Sequence, residues 1–363
     1  MEKMLEKPQT AKSGSGAAMD RILEGLRSYD GPDCTIMEVC GTHTASIVQS
    51  GIPSLLSPHI RLISGPGCPV CVTVTAYIDR LTELALDGDH IVYCFGDLMR
   101  VRGRERSLLD AKARGGNVRM VYSPMEMLDR AKEDGRHIHV FAAVGFETTM
   151  PLYALLIEEA RDRGLTNVQL LTSLKTMPPV IRWLGERNTD GRITGFLAPG
   201  HVCAVTGWGE YESLAKELGL PFVVSGFTAE ALLASIYGLV QLRGKSVVRN
   251  FYPQVVSKEG NLAARESVAR IFETKDAAWR GMGVIEKSGC ILREEYAAFD
   301  AGSDRLYEDC VPAGCCCPQI LMGKMEPAAC PLFGKKCTPA SPQGSCMVSQ
   351  EGGCYNYFTA GAE

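Results

Sequence analysis

The sequence predicts an α/β protein: two related α/β domains with mostly parallel sheets facing a cleft, followed by a third, cysteine-rich domain. Three observations carry this. From about residue 60 to 242, short β-branched apolar runs alternate with helical patterns, the rhythm of strand–helix–strand units. One strand-to-turn plan occurs twice, as RLISGPGCPVC at 61–71 and ITGFLAPGHVC at 193–203. Beyond residue 243 the composition shifts toward Cys, Pro and Gly, and eight of the fifteen cysteines fall between Cys310 and Cys354.

Taken in chain order, residues 1–18 alternate charged and small polar side chains and are expected to be flexible. EVCGTHTASIV (38–48) places Cys40 and Thr42 at a turn feeding a helix N-terminus. RLIS (61–64) is a strand running into a Pro-Gly turn, and AYIDRLTELAL (76–86) has the i, i+3, i+4 apolar spacing of a helix packed on a sheet. HIVYCF (90–95) and NVRMVY (117–122) are buried strands. SPMEMLDRAKED (123–134) is a helix with Ser123 as cap, Pro124 at its first position and Glu126 completing a capping box. HIHVFAAV (137–144), NVQLL (167–171), RITGFL (192–197) and PFVVS (221–225) are further strands, with helices at PLYALLIEEARDR (151–163) and YESLAKEL (211–218). NLAARESVARIFE (261–273) is helical. The tail after it has few runs long enough for regular structure and needs a staple, for which thiolate-bound metal is the obvious candidate. The expected domains are 19–135, 136–242 and 243–363.

At 363 residues, 45% hydrophobic and 22% charged, the chain can fill two or three cores. Its 38 basic and 42 acidic residues give a net charge of −4 without a basic cluster, which speaks against nucleic acid as a partner. No apolar run is long enough to cross a bilayer and the N-terminus lacks the apolar core of a signal peptide, so a cytoplasmic protein without membrane partners is expected. An odd number of cysteines there points to metal, cluster or redox chemistry.

Cys68 and Cys71 form the chain's one C-x-x-C. A first cysteine near a helix N-terminus would be stabilised as thiolate, with the second in reach to close a disulfide; half of a zinc site is the alternative. Cys40, beside a glycine turn, is an accessible thiol, and His43 three residues on is a base, a ligand or a packing residue. GFETT (145–149) sets Glu147, Thr148 and Thr149 at a strand end, where they line a cleft or merely begin a helix. Asp97, also at a strand end, has Arg100 and Arg102 as partners or leaves them solvated. In the tail, Cys317, Cys330, Cys337 and Cys354 read C-x12-C-x6-C-x16-C, a spread that suits a [4Fe–4S] cluster better than the tight knuckles of structural zinc. Cys315, Cys316 and Cys346 are additional thiols.

Together CGTHT, GPGCPVCVT, GFETTMP, APGHV and the tail segments CPLFGKKCTP and GSCMVSQEGGC resemble the HypD family of [NiFe]-hydrogenase maturation factors, over residues 38–357. The resemblance implies a scaffold assembling the Fe(CN)2(CO) unit of the hydrogenase, with a HypC-like small chaperone and a HypE-like cyanide donor as partners, and a cluster-bearing third domain. It implies that Cys40 holds Fe(II) with its CN and CO ligands as transient cargo, that Cys68 and Cys71 are redox-active, and that His201 is the histidine of the PGH motif. It also puts the [4Fe–4S] ligands at Cys317, Cys330, Cys337 and Cys354; because CCC at 315–317 departs from the family's usual Cys-x-Cys, Cys315 competes with Cys317, and Cys346 competes for the last position. Such ligand chemistry needs electrons, which a dithiol in relay with a cluster supplies. A cluster-dependent protein disulfide reductase and a zinc-stapled binding protein are the rival readings.

Overall fold

A computed structural model describes residues 13–361. Residues 1–12, most of the stretch expected to be flexible, lie outside the described residues; the end of that stretch, from Ser13, is already helical.

Among the described residues eleven strands succeed one another as β1 Cys34–Glu38, β2 Ile60–Ser64, β3 His90–Cys94, β4 Val118–Met120, β5 Ile138–Gly145, β6 Val168–Lys175, β7 Gly195–Pro199, β8 Phe222–Ser225, β9 Val248–Asn250, β10 Phe272–Trp279 and β11 Gly283–Leu292. The helices are α1 Ser13–Arg27, α2 Gly41–Gln49, α3 Thr75–Leu86, α4 Leu108–Ala113, α5 Met125–Glu133, α6 Met150–Asp162, α7 Met177–Glu186, α8 Gly200–Thr206, α9 Glu210–Leu218, α10 Ala229–Gln241, α11 Leu262–Ile271, α12 Cys317–Leu321 and α13 Gly353–Thr359. The continuous apolar runs become strands buried on both faces; in β5 every residue after Ile138 is buried. The expected cap of α5 is shifted by one residue: the helix begins at Met125 with Pro124, not Ser123, as its N-cap, and the reciprocal capping box is not formed, although Ser123 Oγ accepts from the Met125 amide (3.3 Å) and Glu126 Oε1 from the Ser123 amide (3.0 Å).

The strands make two sheets. The first, in order β2-β1-β7-β8-β9, is wholly parallel. The second runs β10-β11-β6-β5-β3-β4, parallel from β6 to β4 and antiparallel at the β10–β11 hairpin. The chain passes from one sheet to the other after β2, after β6 and after β9, so neither sheet is a contiguous stretch and strand pairing crosses the expected breaks at 135/136 and 242/243. The two strands of the internal echo, β2 and β7, lie in the same sheet on either side of β1, rather than in units facing each other. The region after 243 is also more regular than its composition suggests, because β10 and β11 extend the second sheet along β6.

The tail, whose helices α12 and α13 are short, does not stand apart. Its buried thiols Cys317, Cys330, Cys337, Cys346 and Cys354 share one packed core with Cys68, Cys71, Cys203 and Trp279. Among the described residues no helix is long and apolar enough to cross a membrane.

Candidate functional site

In a parallel sheet all strands end on the same side, so the turns and helices that succeed them gather along one edge. In the first sheet β2, β1, β7 and β8 are neighbours. The GPGCPVC turn, Cys40 with α2, His201 with α8, and Phe227 therefore come together, although 187 positions of sequence number separate Cys40 from Phe227.

Cys40 is the N-cap of α2, with extended backbone (φ −147°, ψ 118°). It is set by Glu38, the buried last residue of β1, whose Oε2 accepts from the Cys40 amide at 3.0 Å while Oε1 accepts from the Thr44 hydroxyl. Burial pushes the Glu38 carboxyl up to about 7 against these hydrogen bonds. Burial also pushes the Cys40 thiol up to about 12; the amides of His43 and Thr42 favour the thiolate, but desolvation outweighs them and Glu38 opposes them. The accessible, polarised thiol expected from the sequence is instead buried, and burial keeps it protonated.

The GPGCPVC turn lies directly against Cys40. The Gly41 amide donates to the Gly67 carbonyl (3.0 Å), and a Cβ on Gly67 would stand 2.3 Å from the Cys40 nitrogen and 2.5 Å from the Val39 carbonyl carbon. Only glycine fits this approach. Cys68 and Cys71 are joined as a disulfide with Cα atoms 5.2 Å apart, and the Cys71 amide donates to Cys68 Sγ at 3.1 Å. The expectation of a helix N-terminus at Cys68 is corrected: the pair sits in a turn and α3 begins only at Thr75, because this stretch is the crossover between sheets.

His43 lies on α2, fully buried, with neither ring nitrogen in a hydrogen bond; burial brings it down to about 4 although the backbone at Ser225 and Gly226 faces it. His201, in the first turn of α8, is exposed. Phe227 joins them, its ring centroid 4.7 Å from that of His43 and 3.8 Å from that of His201. Two residues beyond His201, the buried Cys203 thiol lies beside Tyr211 and within electrostatic reach of Glu147 and Cys40, and burial raises its pKa.

Glu147 enters from the second sheet, just after β5. Its Oε1 accepts from the Met177 amide (2.7 Å) at the start of α7, whereas Oε2 is buried without a partner. It does not cap α6, whose N-cap is Thr149. Burial pushes its carboxyl up to about 7, and it lines an open cavity of about 510 Å³ together with Glu210, Arg265 and Cys290. Asp97 takes neither arginine as partner: its carboxylate accepts from the Ser349 hydroxyl (2.8 Å), while Arg100 donates to the Pro339 carbonyl (2.9 Å), fastening the tail to the second sheet.

In the tail, Cys317, Cys346 and Cys354 interact directly, and hydrogen bonds from the first two bring the Cys354 thiol below the ordinary cysteine range. Cys315 contacts Cys317; Cys337 is close enough to both to feel their charge; Cys330 pairs with Cys316. The four expected ligands are all buried, and Gly344 is pressed so closely on Cys317 and Cys315 that a Cβ there would come 2.3 Å from one sulfur and 2.7 Å from the other. Among the described residues no three His, Cys, Asp or Glu side chains converge on one ion-sized point. A cluster, whose irons each take one thiolate, would ask for several buried sulfurs in one place, and the buried thiols of this core are of that chemistry.

The profile of HypD, described as "Hydrogenase formation hypA family", matches residues 17–361. The chain belongs to the HypD family. It is 42% identical to the hydrogenase maturation factor HypD of Escherichia coli over 89% of this chain and 88% of that protein. It is 40% identical to the hydrogenase maturation factor HypD of Rhodobacter capsulatus over 98% and 96% of the two chains. A putative hydrogenase expression/formation protein of Methanocaldococcus jannaschii is 38% identical over 94% and 95%.

Within this HypD-family chain, sequence reasoning passed over Glu38, Cys203 and Phe227. Glu38 left a signal, an acid closing the otherwise apolar strand CTIME two residues before a cysteine. Cys203 and Phe227 left none, since their place depends on which strands are neighbours.

Proposed function

We propose that the chain is a cytoplasmic, redox-active scaffold on which the Fe(CN)2(CO) unit of a [NiFe]-hydrogenase is assembled, working with a HypC-like small chaperone and accepting cyanide from a HypE-like donor. The observation that best supports this is a continuous contact path between three sulfur positions. The Ser345 hydroxyl, next to Cys346, donates to the Cys71 carbonyl at 2.7 Å, and Cys71 Sγ lies 3.8 Å from the Ser345 carbonyl oxygen. From the same turn, Gly67 is hydrogen-bonded to Gly41, beside Cys40. The residues beside the three sulfur positions are thus bonded to one another, the closeness that iron holding, electron cycling and cluster anchoring at one site would need.

In this reading Cys40 gives low-spin Fe(II) cargo a soft thiolate ligand, with a chaperone cysteine as a second. Glu38 keeps the Cys40 backbone in place. Burial holds His43 far below the ordinary histidine range, and partial desolvation lowers the more exposed His201, so both stay neutral at pH 7 and are acceptors beside the cargo. Glu147, near neutrality at the edge of its cavity, exchanges a proton with the incoming cyanide donor. A [4Fe–4S] cluster on Cys317, Cys330, Cys337 and Cys354, with Cys315 and Cys346 as alternates, would supply single electrons when bound.

The protein disulfide reductase is the weaker reading. Thiol–disulfide exchange needs a thiol to reach a sulfur; Cys68 and Cys71 are 3% and 0% exposed, so a small dithiol reaches them through local opening of the turn, whereas a bulky protein substrate has no surface there to dock on. The test is in cells lacking their own copy of the factor: Cys40→Ser, Cys68→Ala and Cys71→Ala should each abolish hydrogenase maturation at unchanged protein level. Full maturation by any of the three would overturn the corresponding role.

A further inference from the structure

Behind the CPVC turn stands a buried amine that has no part in holding iron or cluster. Lys175 is the last residue of β6, and its side chain is 3% exposed. Its Nζ donates to the Ser173 hydroxyl at 2.8 Å. Ser173 Oγ lies 3.4 Å from Thr73 Oγ1, and Thr73 in turn donates to the Pro69 carbonyl at 2.9 Å, inside the Cys68–Cys71 loop. Three polar side chains thus lead from the second sheet to the disulfide, through a layer otherwise filled by Trp279, which packs in one core with both cysteines and lies 5.9 Å from Nζ.

The charged groups around the amine come from several elements. Arg280, after β10, and Asp309, from the tail, face each other at 3.6 Å and act on Lys175 in opposite directions. Lys275 and Asp276 of β10, Asp304 and Arg305 of the loop after β11, Cys290 of β11 and Tyr77 of α3 surround the same small cleft. No carboxylate among the described residues pairs with Nζ, and burial, aided by Arg280, brings the amine down to about 7. A methionine would fill this space without that desolvation cost. The amine gains a use when the disulfide opens and a sulfur in the same low-dielectric layer takes on charge.

We propose that Lys175 is a positioning residue for the Cys68–Cys71 pair, holding, through Ser173 and Thr73, one of the protons that accompany opening of the disulfide. The inference rests on the reading that this pair is redox-active. A dithiol donor is oxidised to its disulfide, giving up two electrons and two protons; the Cys68–Cys71 bond breaks as it accepts the electrons. One proton goes to a cysteine sulfur and the other to Lys175 Nζ, which leaves a thiol, a thiolate and a compensating ammonium. Where the amine is already protonated before the step, the pair takes up one proton and the second is released to solvent.

The proton count is measurable. The full chain, prepared anaerobically, is equilibrated with mixtures of reduced and oxidised dithiothreitol between about pH 5.5 and 8, and the reduced fraction of Cys68 and Cys71 is read by acid quench, alkylation and mass spectrometry. Above about pH 7.5 both couples move two protons and the exchange constant should be flat; below about pH 6.5 it should fall about tenfold per pH unit. In Lys175→Met it should be flat throughout. A wild-type constant that is flat over the whole range overturns the proposal without any need of the variant, and so does a folded Lys175→Met protein that keeps the break. A wild-type pair that no dithiol ratio reduces would overturn the redox reading itself.

Discussion

Gly67→Ala tests whether Cys40 and the CPVC turn must be held in one fixed register. The added Cβ would lie 2.3 Å from the Cys40 nitrogen, 2.5 Å from the Val39 carbonyl carbon and 2.6 Å from Cys40 Cα, all backbone atoms that cannot swing aside. A normal contact needs about 3.5 Å, so the turn must withdraw by roughly 1 Å. That withdrawal stretches the 3.0 Å bond from the Gly41 amide to the Gly67 carbonyl. Overpacking of this kind costs about 1–3 kcal/mol and the weakened hydrogen bond about 1 kcal/mol more. Urea denaturation should therefore register a loss of about 2–4 kcal/mol. Because the displaced turn carries the disulfide, hydrogenase maturation in complemented cells should fall by more than the loss of folded protein explains. A variant equal to wild type in both assays would refute the close approach and the coupling inferred from it.

The site leads to three more expected outcomes. Glu38→Ala leaves the Cys40 amide buried without its acceptor and the Thr44 hydroxyl with only its longer bond to the Cys40 carbonyl (3.4 Å), and should lower stability in urea by about 1–3 kcal/mol, with Glu38→Gln milder. Glu147 holds its proton to about pH 7 when folded but releases it near 4.5 when unfolded, so the folded state binds more protons between those values. Its contribution to stability is full below about pH 4.5 and lost as pH rises to about 7; Glu147→Gln should remove up to about 1.4 kcal/mol per pH unit from the downward slope of the unfolding free energy, read from urea curves, across that window. Phe227→Ala opens the space beside His43, and the His43 ring titration tracked by NMR should move up from about 4 toward the ordinary 6.5 as water reaches the imidazole.

Strands buried on both faces announce themselves as apolar runs, which is why HIVYC, IHVFAAVG and FVVS are legible residue by residue. β10 is not: FETKDAAW is an edge strand whose half-buried Glu and exposed Thr, Lys and Asp break the pattern, and only its pairing with β11 makes it a strand. The repeated strand-to-turn plan is real as a local feature, but its two copies do not face each other in space. Sequence records that β2 and β7 end alike, but not that β1 lies between them, and strand order is what brings Cys40 within reach of both turns. The same limit hid Phe227 and Cys203. In the tail, spacing alone could not foresee that Cys346 would lie with Cys317 and Cys354 while Cys330 faces Cys316, since folding over short helices and turns does not obey a count of residues.

The most direct test is infrared absorption of the chain isolated anaerobically from cells that also make the proposed HypC-like chaperone and HypE-like cyanide donor, in complex with that chaperone. The account predicts bands in the cyanide and carbonyl stretching region for the wild-type complex, and their loss in Cys40→Ala with the complex intact. An iron-loaded wild-type complex without such bands, or a Cys40→Ala complex that keeps them, would contradict the claim that this thiol grips the nascent iron centre.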